Sequence, residues 1–313
     1  MLTKLLIATI VFLEILRVPN AQEKVKKWAL SVFRRPIIEK YQVSRIKYQN
    51  LAEIDLDKIS PLPTKRPKVK EPQTIAEGVI ILDIPTAKIL YQKNPDRKFP
   101  IASLTKIMTA LVVLENYHLS DVIVVPKEAT NVLPGATIYL REGERMTVSN
   151  LLYGLLLYSG NDAAYTLSSK MGQEKFVQEM NEKARKLGLL NTRYIDSSGL
   201  SEKNISTVKE LAFLTAFTLR NPTFAKIVKT NETTITSVDG QIAHPLKNTN
   251  KLLREYSGTY AGKTGYTEEA GHCLIAAVER DGHQVLSVVL NSPSDQFKES
   301  MRLLDWTFGA YKW

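Results

Sequence analysis

A serine and a lysine stand three residues apart at the start of an apolar stretch, at Ser103 and Lys106. Three residues are nearly one helical turn, so a helix that begins at Ser103 places both side chains on one face, where they can touch. A lysine that takes the proton of a serine hydroxyl turns that hydroxyl into a nucleophile. The helix N-terminus would add free backbone N–H groups and a positive dipole beside Ser103.

The stretch from 103 to 114 is apolar on nearly every side, which predicts a buried helix. Burial disfavours the charged form of lysine and lowers its pKa, so Lys106 would act as a base near neutral pH. The chain contains a second Ser-x-x-Lys, from Ser206 to Lys209, so the spacing alone does not identify the pair that reacts.

Two further short motifs separate these pairs. Ser159-Gly160-Asn161 follows a second apolar helix candidate, 148–158, and its glycine ends that helix before Asn161 or Asp162 caps the next one. Lys263-Thr264-Gly265 lies in a predicted strand. The order Ser-x-x-Lys, Ser-x-Asn, Lys-Thr-Gly is that of penicillin-binding proteins and class A β-lactamases. The pair at 206 follows Ser159 and breaks this order.

With these motifs, residues 74–313 resemble the D-alanyl-D-alanine carboxypeptidases, which are low-molecular-mass penicillin-binding proteins of the serine peptidase type. The resemblance implies a β-lactamase/DD-peptidase-like fold, a peptidoglycan stem peptide as substrate and β-lactam antibiotics as inhibitors. It extends beyond the three short motifs to the segments 102–110, 139–144, 151–164, 248–253, 263–267 and 270–271.

The resemblance also implies catalytic roles for four residues. Ser103 attacks the carbonyl between two terminal D-alanines while Lys106 takes its proton, and the last D-alanine leaves as an acyl-enzyme forms. Ser159 relays a proton to the leaving amine. Asn161 holds the substrate amide and the Lys106 side chain. Water then releases the shortened peptide, whereas a β-lactam leaves Ser103 acylated.

Substrate binding is implied for the third motif and the residue that follows it. Lys263 and Thr264 would bind the free carboxylate of the peptide through charge-assisted hydrogen bonds. Gly265 lets a ligand approach the strand backbone. The backbone N–H groups of Ser103 and Tyr266 would form the oxyanion hole.

The hydropathy pattern predicts an α+β domain with a mainly antiparallel, five-stranded sheet and a cluster of helices. A first hairpin pairs 78–83 with 88–91, and three further strands come at the end of the chain. Strands at both ends of the domain imply that these five pair in one sheet. The remaining strands are predicted at 258–265, 272–279 and 284–290, and amphipathic helices at 176–187 and 295–311.

The net charge of +10 belongs almost entirely to the N-terminal region. The first 72 residues hold 15 Lys and Arg against 7 Asp and Glu, and the remainder holds 27 against 25. A nearly neutral domain argues against a nucleic-acid partner. Cys273 is the single cysteine, and the four histidines show no metal-ligand spacing, so we expect neither a metal nor another cofactor.

The N-terminal region divides into two predicted segments. Residues 1–22 contain the apolar run 5–16 and predict a signal peptide or an uncleaved signal anchor. Residues 23–73 combine a basic amphipathic stretch with a proline-rich, extended spacer. Because the chain stops at Trp313, directly after the last helix, we expect membrane attachment through the N-terminus and an extracytoplasmic location for the catalytic domain, 74–313.

Three alternative functions use the same residues. A DD-endopeptidase that cuts peptidoglycan crosslinks is not excluded by any motif. A non-catalytic protein that binds β-lactam or peptidoglycan would keep the fold without turnover, although intact motifs disfavour it. A class A β-lactamase is disfavoured because no Glu-x-x-Leu-Asn stretch follows Asn161 to supply a deacylating base.

Overall fold

The computed structural model describes residues 62–132 and 135–313, and all elements named below lie in these two ranges. The predicted segment 1–22 and the part of the basic segment up to residue 61 lie outside the described residues. In chain order the strands are β1 Thr64–Lys65, β2 Gly78–Asp83, β3 Ile89–Lys93, β4 Phe99–Pro100, β5 Val122–Val124, β6 Arg145–Thr147, β7 Ile205–Ser206, β8 Glu232–Thr236, β9 Ala243–Lys247, β10 Thr259–Thr267, β11 Gly271–Arg280, β12 His283–Ser292 and β13 Tyr311–Lys312.

Five of these strands form the main sheet, in the order β10-β11-β12-β2-β3, with every neighbouring pair antiparallel. The first hairpin therefore pairs with the last three strands through β2 and β12, where Ile80 lies opposite Val288. This confirms the predicted five-stranded sheet. The strand β10, which carries the Lys-Thr-Gly motif, lies at one edge.

The helices cover both faces of this sheet. They are α1 Lys106–Asn116, α2 Val148–Leu156, α3 Asn161–Ser169, α4 Gln173–Lys186, α5 Val208–Thr218, α6 Pro222–Lys229, α7 Leu252–Glu255 and α8 Gln296–Ala310.

Alternation of side chains along β2 explains the two layers. Val79 and Ile81 pack in one cluster with Leu303 of α8, whereas Ile80 and Leu82 pack in the larger cluster that contains the buried residues of α1 and α5. All six residues of β2 are buried because both faces of the sheet are covered. The large cluster is thus the helical cluster that the sequence analysis predicts.

The segment of the first motif differs from its prediction in one respect. Ser103 lies in a 3-10 turn, Ala102–Thr105, and the α-helix begins at Lys106 rather than at Ser103. Ala102 has a φ of +45°, so the chain enters the turn through a left-handed residue instead of a capped helix start. In a 3-10 turn, side chains at i and i+3 are eclipsed, and the serine and lysine therefore remain on one face.

The start of α3 is also different from the prediction. Gly160 is the N-cap, and it makes no side-chain cap hydrogen bond. Asp162 lies inside the first turn, where its carboxylate accepts the backbone N–H groups of Ile138 and Leu140, at 3.0 and 3.1 Å. The acidic side chain therefore fixes a neighbouring loop to the helix that begins at Asn161.

Several elements have no counterpart in the sequence analysis, namely α5, α6 and the hairpin of β8 and β9. The hairpin is held to the 138–144 loop by a buried contact, because the His244 ring lies 2.7 Å from a carboxylate oxygen of Glu144 and 2.8 Å from the Ile138 carbonyl oxygen. No helix in the ranges that the structure describes is long and apolar enough to cross a membrane.

The described part of the proline-rich stretch lies along the C-terminal elements. β1 pairs with β13, and the indole N–H of Trp306 donates to the Lys70 carbonyl oxygen at 2.8 Å. Tyr91 donates through its hydroxyl to the Pro72 carbonyl oxygen at 3.2 Å. The division of the chain at residue 73 stays a prediction.

Candidate active site

The first predicted pair is in contact. The Nζ atom of Lys106 lies 2.9 Å from the Oγ atom of Ser103, which is a hydrogen-bond distance. Lys106 is fully buried at the start of α1, and Ser103 is half-buried in the turn before it. The serine can therefore meet a ligand while its neighbour stays out of water.

Two further oxygen atoms surround the lysine nitrogen. The side-chain oxygen of Asn161 lies 2.7 Å from Nζ, and the backbone carbonyl oxygen of Ser198 lies 2.6 Å from it. Both oxygens can only accept hydrogen bonds, so each accepts one N–H of the lysine. A neutral amine in this place donates its two protons to these oxygens and directs its lone pair at Ser103. The surroundings thus select the orientation in which Lys106 removes the serine proton.

Burial makes the neutral form of this lysine accessible. Desolvation lowers the pKa of Lys106 to about 7, against a partial opposing effect of Asp196 and Asp162, whose negative charges raise it. A base whose pKa lies near the ambient pH is well suited to proton transfer. The burial that the apolar sequence around Lys106 predicts is confirmed, and it shifts the pKa in the expected direction.

The second and third motifs also meet. Lys263 Nζ lies 2.9 Å from Ser159 Oγ and donates to the Thr264 carbonyl oxygen at the same distance. Ser159 has a φ of +69°, a left-handed conformation that is uncommon for serine and that follows the end of α2. Burial, and after it the charge of Lys106, lower the pKa of Lys263 well below its usual value. The two Ser–Lys pairs therefore share one electrostatic site.

Strand β10 passes close to the turn that carries Ser103. A Cβ atom on Gly265 would lie 3.1 Å from the Ser103 backbone nitrogen and 3.2 Å from Ala102 Cβ, so the missing side chain permits this approach. Tyr266, the next residue, is 59% exposed, and its ring lies 4.7 Å from that of His272. The segments of the two expected oxyanion donors, Ser103 and Tyr266, are thus neighbours.

Successive side chains of β10 point to opposite faces of the sheet, so Lys263 and Thr264 of the Lys-Thr-Gly motif have different surroundings. Lys263 is buried, whereas Thr264 is partly exposed and its hydroxyl lies 2.7 Å from that of Thr249. Thr249 lies in one of the longer segments on which the family resemblance rests, but it is not among the predicted site residues. Its hydroxyl adds a second polar group at the exposed end of the site.

Sequence reasoning missed the loop that completes the lysine environment. Ser198 contributes only its backbone oxygen, which no side-chain motif can indicate. The neighbouring Asp-Ser-Ser-Gly pattern, 196–199, does predict a turn, because aspartate accepts backbone N–H groups two and three residues ahead and glycine adopts positive φ. Gly199 has a φ of +90°, and a Cβ atom there would lie 1.9 Å from the Ala102 carbonyl oxygen.

We therefore predict that Gly199→Ala lowers the free energy of unfolding by about 3 kcal/mol or more, from the positive φ and the clash with backbone together. Urea denaturation checks this. The matched control is Gly188→Ala, because Gly188 has a φ of +76° but nothing within 4 Å of its Cβ position. The control should lose only about 1 kcal/mol, the cost of the conformation alone. Equal losses in the two variants would contradict the clash.

The second Ser-x-x-Lys does not form a pair. Ser206 is buried with its hydroxyl 2.7 Å from that of Thr192, whereas Lys209 makes a half-exposed ion pair with Asp96 at 3.3 Å. The order of the motifs thus selects the pair whose side chains are in contact. Among the described residues, no group of three or more His, Cys, Asp and Glu side chains is arranged to hold a metal ion.

Comparison with known proteins agrees with this geometry. A family model described as D-alanyl-D-alanine carboxypeptidase matches residues 65–294. The carboxypeptidase DacF of Bacillus subtilis is 32% identical over 248 residues, which are 76% of this chain and 63% of that protein. The D-alanyl-D-alanine endopeptidase of Pseudomonas aeruginosa is 33% identical over 79% of this chain and 82% of its own. The chain thus spans somewhat less than two thirds of the first relative and most of the second.

Solved structures with a similar fold are enzymes of the same kind. The crystal structure of the Streptomyces K15 DD-transpeptidase superposes with a TM-score of 0.73 at 34% identity, covering 77% of this chain and all of that one. A D-alanyl-D-alanine carboxypeptidase structure from Mycobacterium tuberculosis gives a TM-score of 0.74 at 30% identity, over 78% and 95% of the two chains. These likenesses confirm the predicted DD-peptidase-like fold. The chain belongs to the D-alanyl-D-alanine carboxypeptidase family of serine peptidases.

Proposed function

We propose that this protein is a serine D-Ala-D-Ala carboxypeptidase that trims peptidoglycan stem peptides through an acyl-enzyme on Ser103. The observation that carries the proposal is the contact of 2.9 Å between Ser103 Oγ and the buried Lys106 Nζ, whose pKa of about 7 suits a base. Membership of the carboxypeptidase family supports the substrate class.

In the first step, Ser103 Oγ forms a bond to the carbonyl carbon between the two terminal D-alanines, and its proton passes to Lys106. The oxyanion is stabilised by the backbone N–H groups of Ser103 and Tyr266. The carbon–nitrogen bond then breaks, and the leaving amine takes a proton through Ser159. Ser159 regains its proton from Lys106, which becomes neutral again, and the 2.9 Å contact of Ser159 with Lys263 supports this route because it holds the Ser159 hydroxyl in place.

In the second step, neutral Lys106 takes a proton from water as the water oxygen bonds to the ester carbon. Lys106 returns that proton to the Ser103 oxygen as the ester carbon–oxygen bond breaks and the shortened peptide leaves. Asn161 orients the substrate amide through its carboxamide. Lys263 and Thr264 attract the free carboxylate, and Gly265 lets the peptide lie against β10. A β-lactam carries a strained amide that Ser103 opens in the same way, and the resulting ester hydrolyses slowly.

A DD-endopeptidase activity is the second candidate. Relatives named D-alanyl-D-alanine endopeptidase in Pseudomonas aeruginosa and Escherichia coli are 33% and 31% identical to this chain, values similar to those of the carboxypeptidases. The same four catalytic side chains would cut a crosslink. A crosslink differs only in the group that leaves, which is a side-chain amine of a neighbouring stem peptide.

One assay distinguishes these functions. The purified protein is incubated with a pentapeptide ending in D-Ala-D-Ala and with a crosslinked muropeptide dimer, and free D-alanine and muropeptide monomers are measured. Protein pretreated with penicillin is the control. We expect penicillin-sensitive release of D-alanine that is faster than cleavage of the dimer. Faster cleavage of the dimer would identify an endopeptidase, and penicillin labelling without turnover of either substrate would identify a non-catalytic binder.

We also propose an extracytoplasmic location with attachment to the cytoplasmic membrane through the N-terminus. The apolar run 5–16 and the basic residues that follow support attachment, since basic amphipathic segments bind anionic membrane surfaces. Fractionation of cells that express the full chain or a chain without residues 1–22 tests this proposal. A soluble full-length protein would contradict it.

A further inference from the structure

A half-buried carboxylate lies behind the proposed base, in the 196–201 loop. Its Oδ1 atom accepts the backbone N–H groups of Ser198 and Gly199, at 2.7 and 2.6 Å, and the Ser198 hydroxyl at 2.8 Å. Its Oδ2 atom accepts the N–H of Ser201 at 2.9 Å. Four hydrogen bonds thus converge on Asp196, and they close the loop around it.

We propose that Asp196 is a positioning residue for Lys106, acting through the Ser198 carbonyl and through its own negative charge. The proposal rests on the proposed role of Lys106 as the base. Asp196 itself does not touch the substrate or Ser103 in this scheme. Its effect reaches the reaction only through the lysine.

Asp196 fixes the direction of the Ser198 carbonyl through a shared peptide plane. The peptide plane between Ser198 and Gly199 carries both the N–H that Asp196 holds and the carbonyl oxygen that Lys106 contacts at 2.6 Å. Because a peptide unit is planar, fixing the N–H fixes the direction of that oxygen. The Ser197 carbonyl is held in turn by the Thr109 hydroxyl, at 2.6 Å, so the loop is tied to the same helix that begins with Lys106.

Asp196 also acts on Lys106 through its negative charge. The charged groups that act on Lys106 come from three elements: Asp196 in the loop, Asp162 in α3 and Lys263 in β10. Burial raises the pKa of Asp196, but its four hydrogen bonds together outweigh burial, and the carboxylate stays ionised. In a buried site a negative charge favours the protonated form of the neighbouring lysine. Asp196 therefore sets how readily Lys106 gives up its proton to become the free base.

Replacing Asp196 with asparagine removes the negative charge and one acceptor but keeps the volume of the side chain. Asp196→Asn keeps one oxygen for Ser198 and Gly199, but its amide nitrogen is a donor and faces the Ser201 N–H, which is also a donor. Asp196→Ser keeps a short acceptor without charge. Glu210→Gln is the matched control, because Glu210 is a buried carboxylate that accepts the Asn191 N–H at 2.9 Å and lies outside the site.

The experiment measures single-turnover acylation of the full-length protein by a fluorescent penicillin from pH 5 to 9, with thermal unfolding in parallel. For both Asp196 variants we expect the acid limb of the rate profile to move to lower pH by about half a unit or more, since Lys106 loses a charge that stabilises its protonated form. The rate on the plateau should fall about tenfold, because the lysine is held less well. Glu210→Gln should keep the wild-type limb.

Three results would overturn the proposal: an acid limb at the wild-type pH in the folded Asp196 variants, the same shift in Glu210→Gln, or unfolding of both Asp196 variants, which would make the residue structural. Acylation by penicillin does not depend on which peptide the enzyme cuts. Failure of the carboxypeptidase assignment, seen as absent release of D-alanine, is therefore distinguishable from failure of this inference.

Discussion

We expect Ser103→Ala to abolish both D-alanine release and covalent labelling by penicillin, with a loss of at least about 10⁴-fold in rate. The variant lacks the oxygen that forms the acyl bond, and no other hydroxyl is in contact with the Lys106 nitrogen among the described residues. Substrate binding should persist, because the alanine keeps the backbone N–H and leaves Asn161 and β10 unchanged.

Mass spectrometry of the penicillin-treated protein measures the adduct directly. The control is Ser206→Ala, since Ser206 begins the second Ser-x-x-Lys and is buried with its hydroxyl on Thr192. That variant should label at the wild-type rate. An adduct on Ser103→Ala would mean that another residue is the nucleophile, and loss of labelling in Ser206→Ala would mean that the wrong pair was chosen.

Lys106→Ala is expected to lower the rate of acylation by about 10²- to 10⁴-fold, the usual contribution of a positioned general base. The serine remains, but its proton has no acceptor in contact. Loss of the amine also leaves the Asn161 and Ser198 oxygens without this donor, so the stability of the variant is followed by thermal unfolding. Lys209→Ala is the control, because it removes only a half-exposed ion pair. Labelling of Lys106→Ala by penicillin at the wild-type rate would contradict the proposal that Lys106 is the general base.

The pH dependence of the wild-type protein gives the same test without a substitution. Lys106 accepts a proton only as the neutral amine, and its pKa of about 7 means that the protonated form dominates below that pH. We expect the acylation rate to rise tenfold per unit up to about pH 7 and then to level off. In Lys106→Ala the residual rate should lack this limb. A wild-type rate that is flat between pH 5 and 7 would be incompatible with the assignment.

The order of the three motifs, the apolar surroundings of Lys106 and the hairpin at 78–91 are local properties of the chain, and they led to correct predictions of a contact, of the burial of Lys106 and of a pair of strands. A strand or a helix is recognised from periods of two and 3.6 residues, which need no knowledge of distant segments. The pairing of the first hairpin with the last three strands followed because β-strands at both ends of one domain must share a sheet to satisfy their backbone groups.

The surroundings of Lys106 could not be predicted from such local patterns. Ser198 acts through a carbonyl oxygen that every residue possesses, and its approach to Lys106 joins positions 92 apart in the chain. Gly199 and Gly265 matter because other backbone segments lie against them, a property of packing and not of glycine itself. The 3-10 turn at Ser103 likewise depends on the left-handed conformation of Ala102. The loop at Gly199 and strand β10 at Gly265 both pack against Ala102.

The amino-acid sequence thus indicated the side chains to which we assign the chemistry and the elements in which they lie, since side-chain type and periodicity are written residue by residue. The orientation of Lys106 and its depressed pKa arose from the convergence of the first turn, α3, β10 and the 196–201 loop, and so did the role that we propose for Asp196. Desolvation and hydrogen-bond direction depend on all atoms around a group, and those atoms come from segments that are adjacent only after the chain has folded.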